Sequence, residues 1–281
     1  MNLGEALKRS EREIGSADAM ALMCHSLKKN RAFVLAHHDD QMDERDLMHF
    51  ELLVFSRKLG TPVAYLTGKR EFYSRDFTVT PDVLIPRPET EVLVDQALAR
   101  ISEASTPKPA RILDLGTGSG AIAITLALQA RAHVTAADRS EATLSVARDN
   151  AARLGASVDF IQSDWYAALA GKKFDLIVSN PPYVVAGDPH LSQGDLRFEP
   201  QMALSDASRD GLSSIRAVIA GAPGHLNPGG SLLFEHGYDQ AEACRELLLK
   251  CGFQGLVSVS DLAGIPRVAG GIWLRKPGCP E

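Results

Sequence analysis

Along "MDERDLMHFELLVFSRKLGTP" the apolar residues Leu47, Phe50 and Val54 recur at i, i+3 and i+7, the spacing that gathers side chains on one face of an α-helix. Asp43 stands before that run as an N-cap, Gly60 sits where the helix ends, and Pro62 bars its continuation. Upstream, Leu3, Leu7 and Ile14, then Ala19, Leu22 and Leu27, predict two or more shorter helices. Residues 1–70 therefore read as a small helical bundle. The pattern changes over residues 71–88. There "EFYSRDFTVTPDVLIPRP" joins aromatic and β-branched residues to Pro81, Pro86 and Pro88, which predicts a strand pair and a stiff connector.

Residues 89–281 follow a third rhythm, broken early by a polar, proline-bearing loop at 102–110. "ARILDLG", "AHVTAAD", "VDFIQSD" and "FDLIVSN" are short apolar runs of strand character. Between them lie a small-residue helix, "SGAIAITLALQA", and a helix running from Ser140 to a stop at Gly155. Strands alternating with helices predict a parallel sheet covered on both faces. "GGSLLFEHG" adds a strand and "DQAEACRELLLKCG" a helix. "GLVSVSDLAG" and "RVAGGIWLRK" close the chain with little between them, which predicts a terminal hairpin whose edge strand runs antiparallel.

Composition narrows the partners. With 281 residues, 45% hydrophobic and 23% charged, the chain can bury a full core of one or two domains. A net charge of −5 argues against a protein that coats nucleic acid through a generally basic surface. Residues 1–70 carry eleven Lys/Arg against ten Asp/Glu, so the bundle is no basic arm. The chain shows no signal-peptide pattern and no membrane-spanning run, which reads as cytoplasmic. Cys24, Cys244, Cys251 and Cys279 lack CxxC spacing and read as reduced thiols rather than a zinc site. "HHDD", His37 to Asp40, reads as a solvated loop, and no metal is expected.

Candidate chemistry gathers at strand ends. "DLGTGSGA" follows the first strand of the α/β region, and Gly116, Thr117, Gly118, Ser119 and Gly120 form a turn that a ligand can approach closely. Asp138 ends the second strand, placed to accept hydrogen bonds from a ribose diol. These two features suit an NAD-type cofactor or S-adenosylmethionine equally. Asp164 and Trp165 close the third strand, and Asn180, Pro181, Pro182 and Tyr183 the fourth. Ligands of open parallel sheets lie beyond such carboxyl ends, so four loops converge on one crevice. Pro181 and Pro182 fix φ and offer no N–H, which leaves the Asn180 side-chain oxygen and backbone carbonyls as acceptors. That set suits an –NH₂ group, with Tyr183 as a flat face against it. Gripping both hydrogens of a planar amide aims its nitrogen and favours the more tetrahedral geometry of attack. No buried carboxylate or histidine beside the motif is required, and the sequence offers none nearby except Asp188 and His190, which read as loop residues.

"SNPPYV" resembles the signature of methyltransferases acting on planar nitrogens. With "TPVAYLTGKREFYSRDFTVTPDVLIPRPETE", "DLGTGSGAIAI", "SDW", "RFEPQMAL", "EHGYDQ" and "DLAGIPRVAGG", the chain resembles the bacterial peptide-chain release factor N5-glutamine methyltransferase family over nearly its whole length. The resemblance implies a Rossmann-like S-adenosylmethionine-dependent methyltransferase fold, a mostly parallel seven-stranded sheet with a terminal antiparallel hairpin. It implies a helical substrate-recognition domain at 1–70, a hairpin and proline-rich linker at 71–88, and the methyltransferase domain at 89–281. It implies methyl transfer from S-adenosyl-L-methionine, leaving S-adenosyl-L-homocysteine, to the glutamine of the Gly-Gly-Gln motif of class-1 release factors. By that likeness Gly116 to Gly120 wrap the methionine part, Asp138 holds the ribose, and Asp164 and Trp165 flank the adenine. Asn180 touches both cofactor and acceptor amide, the Pro181 carbonyl receives that amide, and Pro182 and Tyr183 complete the motif. The family reading is of a monomer with neither nucleic acid nor membrane as direct partner.

Two departures stand out: Ser74 where the family pattern has glycine, and Arg139 where many relatives carry an apolar residue. Ile85 to Glu91 are expected to line the cofactor entrance, with Thr90 capping the next helix. Arg197 to Pro200 either shape the pocket or, at Glu199, supply a structural ion pair. The alternatives are a ribosomal-protein glutamine methyltransferase, whose linker resembles "PRSP" rather than "PRPETE", and an adenine-N6 nucleic-acid methyltransferase, which wants a basic cleft. A cofactor-binding module without turnover leaves "NPPY" unexplained, and an NAD oxidoreductase lacks an evident hydride-transfer acid or base.

Overall fold

The structure, a computed structural model, describes residues 1–103 and 106–274. Ala104 and Ser105 of the expected loop, Arg275 and Lys276 of the last expected strand, and Cys279 lie outside them. The chain divides into two compact units, one of Met1–Lys69 with Ser192–Phe198, the other of Arg70–Leu191 with residues from Glu199 onward.

The first unit holds α1 (Leu3–Ile14), α2 (Ser16–Leu27), α3 (Arg31–Ala36), α4 (Glu44–Lys58) and α5 (Val63–Thr67). Asn2 opens α1 with a reciprocal capping box to Glu5, and Asp43 caps α4 by accepting from the Arg45 N–H at 2.8 Å. Leu22, Met23, Phe50 and Val54 lie in the shared apolar core. His37 to Asp40 form the turn between α3 and α4. Arg57 donates to Asp18 at 2.7 Å and to Asp195 at 2.5 Å, which ties the segment Ser192–Phe198 to the helices.

From Arg70 the second unit takes in the rest of the hairpin of β1 (Lys69–Phe72) and β2 (Arg75–Thr78). Tyr73 and Ser74 turn it with φ of +51° and +59°, the left-handed region. That explains why a glycine suits the position Ser74 occupies. After α6 (Glu91–Ser102) come β3 (Ala110–Leu115), α7 (Ala121–Gln129), β4 (Ala132–Asp138), α8 (Glu141–Leu154), β5 (Val158–Gln162) and β6 (Phe174–Ser179). A short pair follows, β7 (Val184–Val185) with β8 (Ser205–Asp206), and α9 (Gln201–Leu204) lies between them in sequence. The chain then forms α10 (Ser213–His225), β9 (Leu226–Glu235), α11 (Ala241–Lys250), β10 (Gln254–Ser260) and β11 (Pro266–Ile272).

Seven strands make one sheet in the order β10-β11-β9-β6-β3-β4-β5. The sheet is the expected one, mostly parallel with a terminal antiparallel hairpin, with one correction. Antiparallel direction was expected at the edge; it belongs instead to β11, which pairs antiparallel with both β9 and β10 and so lies second from the edge. The reason is steric and apolar. A Cβ at Gly270 would come within 2.2 Å of the Leu232 carbonyl oxygen, and Val268 and Ala269 are buried. "VAGG" thus suits an inner slot, whereas β10 is largely exposed.

Successive residues of a strand face opposite sides of the sheet. Ile112 and Leu176 join the core beneath α6, α7 and the hairpin, while Leu113 and Ile177 join the core beneath α10 and α11. No helix among the described residues is long and apolar enough to cross a membrane. Asn150 of α8, fully buried, accepts from the Thr78 N–H at 2.7 Å and donates to the carbonyls of Thr78 at 2.9 Å and Ser119 at 3.0 Å. One side chain therefore holds the hairpin and the glycine loop together. Asn150→Ala should strip partners from buried backbone groups and cost about 2–3 kcal/mol. A lower urea midpoint at unchanged slope would show it.

Candidate active site

Parallel pairing of β3 with β6 sets Leu115 opposite Ser179. The glycine loop and Asn180 therefore leave the sheet at the same level. The Ser179 hydroxyl secures this by donating to the Leu115 carbonyl at 2.8 Å. Gly116, Gly118 and Gly120 all take positive φ, of 72°, 56° and 83°. Their surroundings differ. A Cβ at Gly116 or Gly118 would meet nothing within 4 Å, whereas at Gly120 it would come within 2.7 Å of Ile124 and 3.2 Å of Ala147. The first two glycines keep space open for a ligand; Gly120 lets α7 and α8 approach.

Asp138 accepts from the Gly118 N–H and the Ser140 N–H, each at 3.1 Å, one on each carboxyl oxygen. Each oxygen keeps a further lone pair, the capacity two ribose hydroxyls need. Burial raises its pKa, and the backbone donors work against that rise. Asp164 is exposed, and Trp165 follows it in the left-handed region at φ +49°. Ser163 holds this turn, donating to the Trp165 carbonyl at 2.7 Å and accepting from the Ala168 N–H at 3.0 Å.

Gly116 to Ser119, Asp138, Asp164, Trp165, Asn180 and Pro182 line one cavity of about 570 Å³. That size is ordinary for a site taking a small molecule. Gly120, Pro181 and Tyr183 do not line it. Tyr183 is anchored from behind instead: its hydroxyl donates to Glu235 at 3.0 Å and its carbonyl accepts from Gln240 at 3.1 Å. Burial pushes its phenol pKa up, and the neighbouring Glu235 pushes it further.

Glu235, at the end of β9, corrects one expectation. A carboxylate only 2% exposed does stand beside the Asn-Pro-Pro-Tyr motif. Thr90 corrects another. Its hydroxyl makes no cap for α6; it donates to Glu235 at 2.6 Å and accepts from Asn180 Nδ2 at 3.1 Å. Burial raises the Glu235 pKa, opposed by its hydroxyl donors and by Arg267. Sequence reasoning missed this pairing because 145 residues separate Thr90 from Glu235. The sole signal was an acid at the end of "SLLFE", at the same sheet edge.

Of the two readings of Glu199 the structure selects the ion pair. Buried, it accepts from the Ile85 N–H at 3.0 Å and from Arg87 at 2.5 Å, which fixes the proline connector. Pro200 and Arg87 line the cavity. Asp188 and His190 pair with each other at 2.7 Å on the loop where they were expected.

Residues 3–68 match the family described as PrmC N-terminal domain, and residues 90–194 match Methyltransferase small domain. A release factor glutamine methyltransferase of Bordetella pertussis is 50% identical over 256 residues, covering 90% of this chain and 93% of the relative. Its counterpart in Escherichia coli K12 is 44% identical over 253 residues, covering 89% and 90%. The chain belongs to the release factor glutamine methyltransferase family. Solved structures agree on the fold. A Pyrococcus furiosus methyltransferase, 17% identical, covers 79% of this chain and 96% of its own with a TM-score of 0.54. A Thermus thermophilus 16S rRNA methyltransferase with AdoMet and guanosine, 20% identical, covers 74% of this chain and 50% of its own, also at 0.54.

One carboxyl in this family member lies beneath the glycine loop rather than in the cavity. Asp114 is fully buried and accepts from the Thr117 hydroxyl at 2.7 Å, and its Oδ1 has no partner among the described residues. Burial pushes it from an ordinary 3.8 up to about 7, the Thr117 bond opposing. Its folded form thus holds a proton that the unfolded chain releases, so its contribution to stability is intact below about 4 and is lost as pH rises through about 7. Asp114→Asn should remove that dependence. Urea midpoints of wild type and variant should diverge in the variant's favour between pH 4.5 and 7.5.

Proposed function

We propose that the chain transfers a methyl group from S-adenosyl-L-methionine to the side-chain amide nitrogen (N5) of the glutamine in the Gly-Gly-Gln motif of class-1 release factors. The observation that carries this reading is the Asn180 amide. Its Nδ2 is committed to Thr90, which leaves Oδ1, without a hydrogen bond among the described residues, as an acceptor on a cavity-lining residue. The second acceptor is assigned to the backbone carbonyl of the adjoining Pro181, a residue that does not itself line the cavity. The relatives' names supply the acceptor, glutamine of a release factor. The fold neighbour holding AdoMet supplies the donor class.

The residues present fit that donor. Gly116 and Gly118 leave room for its methionine part, Asp138 has two lone pairs for the ribose, and Asp164 and Trp165, which line the same cavity, are assigned to the adenine. When bound, S-adenosylmethionine supplies an electrophilic methyl on its sulfonium and is left as S-adenosylhomocysteine. The protein's own part is positioning. Asn180 Oδ1 and the Pro181 carbonyl hold the amide hydrogens, which aims the nitrogen and lessens its conjugation as it attacks. The nitrogen sheds a proton after transfer, so no general base is needed at the moment of attack.

The helical unit is assigned to substrate recognition, with the protein acting as a monomer in the cytoplasm. Along α4 and its cap, Met48, Leu52, Phe55 and Leu59 are each about 60% exposed and fall at i, i+4, i+7 and i+11, an apolar stripe on one helix face. We assign it to the release factor. Phe55→Ser should raise KM for that substrate roughly tenfold, since burial of such a ring is worth about 1.5 kcal/mol or more. Affinity for S-adenosylmethionine should stay unchanged, read by calorimetry beside the kinetics.

The central experiment offers labelled S-adenosylmethionine with purified release factor, its Gln-to-Ala variant, ribosomal protein and DNA in parallel. Label is expected on the release factor alone and absent from the Gln-to-Ala variant; label on another acceptor overturns the substrate. Asn180→Ala should keep cofactor affinity within about tenfold, roughly 1.4 kcal/mol, and lower turnover by about 10² or more.

A further inference from the structure

Asn180 can serve as an acceptor only if its amide faces one way. Turned over, the same side chain would present its –NH₂ to the –NH₂ of an incoming amide, donor against donor. Something in the fold must therefore choose between two orientations of nearly identical shape.

The choice can be followed hydrogen by hydrogen. The Thr90 hydroxyl owns a single hydrogen, and it points to Glu235 Oε2 at 2.6 Å. What the hydroxyl has left is lone pairs, and Asn180 Nδ2 donates to them at 3.1 Å. The other carboxyl oxygen of Glu235 accepts from Tyr183 at 3.0 Å, so two hydroxyl donors meet one carboxylate. Thr90 is 5% exposed and Glu235 2%, so both groups are largely withdrawn from solvent. A tie serving only to join α6 to β9 would be made more cheaply by apolar side chains, because burying a carboxylate is costly. Thr90 also forgoes the cap that its place before α6 would allow.

We propose that Thr90 and Glu235 are positioning residues that set the orientation of the Asn180 amide. The carboxylate claims the Thr90 hydrogen, the hydroxyl can then only accept from Asn180, and Oδ1 is left to the substrate. The same carboxylate fixes the hydroxyl end of Tyr183, so both polar ends of the motif share one anchor. This inference rests on the assignment of Asn180 as the residue that grips the acceptor amide.

Two measurements test it together. In the first, steady-state transfer to the release factor is compared for wild type, Thr90→Val, Thr90→Ser, Asn180→Ala and the Thr90→Val/Asn180→Ala double variant. Thr90→Val keeps the shape and removes the hydroxyl; kcat should fall about 10- to 100-fold, the range seen when a partner that orients a ligating side chain is lost. KM for S-adenosylmethionine should hold, and Thr90→Ser should restore most of the rate. In the Asn180→Ala background, Thr90→Val should cost nothing further, because its effect runs through that amide. A full and additive loss there overturns the proposal and leaves Thr90 a structural tie.

The second measurement needs no turnover. The chain has five asparagines, so a [15N]Asn label gives a simple side-chain amide spectrum in which Asn180→Ala identifies the Asn180 pair. That pair should shift in Thr90→Val and return in Thr90→Ser. Glu235→Leu offers an independent route: with no acceptor left for it, the Thr90 hydrogen is free to turn toward Asn180, so the Asn180 pair should move again. An Asn180 pair that ignores both changes overturns the proposal. Should wild type methylate no release factor, the functional reading falls alone and the amide spectra still decide this one.

Discussion

The register of β3 against β6 is the constraint on which the site depends. With Leu115 opposite Ser179, two adjacent parallel strands release their next residues side by side, one into the glycine loop and one into Asn180. A slip of one residue would turn every side chain of β6 to the other face, sending Ile177 into the wrong core and Asn180 away from the cavity. The register is fixed by what the two faces bury and by the Ser179 hydroxyl on the Leu115 carbonyl. Cofactor geometry and acceptor geometry are therefore one property of the sheet.

Much of this was legible in the chain. Period-3.6 and short apolar runs located the helices and strands because each element buries a face of its own. Gly116, Asp138, Asp164 and Asn180 were found together because strand ends in a parallel sheet share an edge. The antiparallel strand was misplaced, since nothing local distinguishes a strand that returns inside its predecessor from one that stays outside. The strand pairings and the close surroundings of Gly270 reveal it.

The polar network behind the motif was hidden for a different reason. Thr90 precedes a helix, where a hydroxyl is ordinarily a cap, and Glu235 ends a strand, where an acid is ordinarily solvated. Their meeting is set by the packing of α6 against β9 and by no local pattern. Glu199 was a milder case: an ion pair was foreseen as one reading, and burial against Ile85 and Arg87 settled it. Sequence yields the groups that face the ligand more readily than those that hold such groups in place.

The position of β11 bears on how the protein is made. Among the described strands it is the last to be synthesised, yet it belongs between two strands completed before it. Until it emerges from the ribosome, β9 has a bare edge and β10 has no neighbour to pair with. The half of the sheet from β5 to β9 can assemble as the chain grows, but closure of the other half waits on the final strand. A nascent chain stalled before "VAGG" thus exposes the backbone donors and acceptors of β9, the kind of open edge on which chains stick to one another.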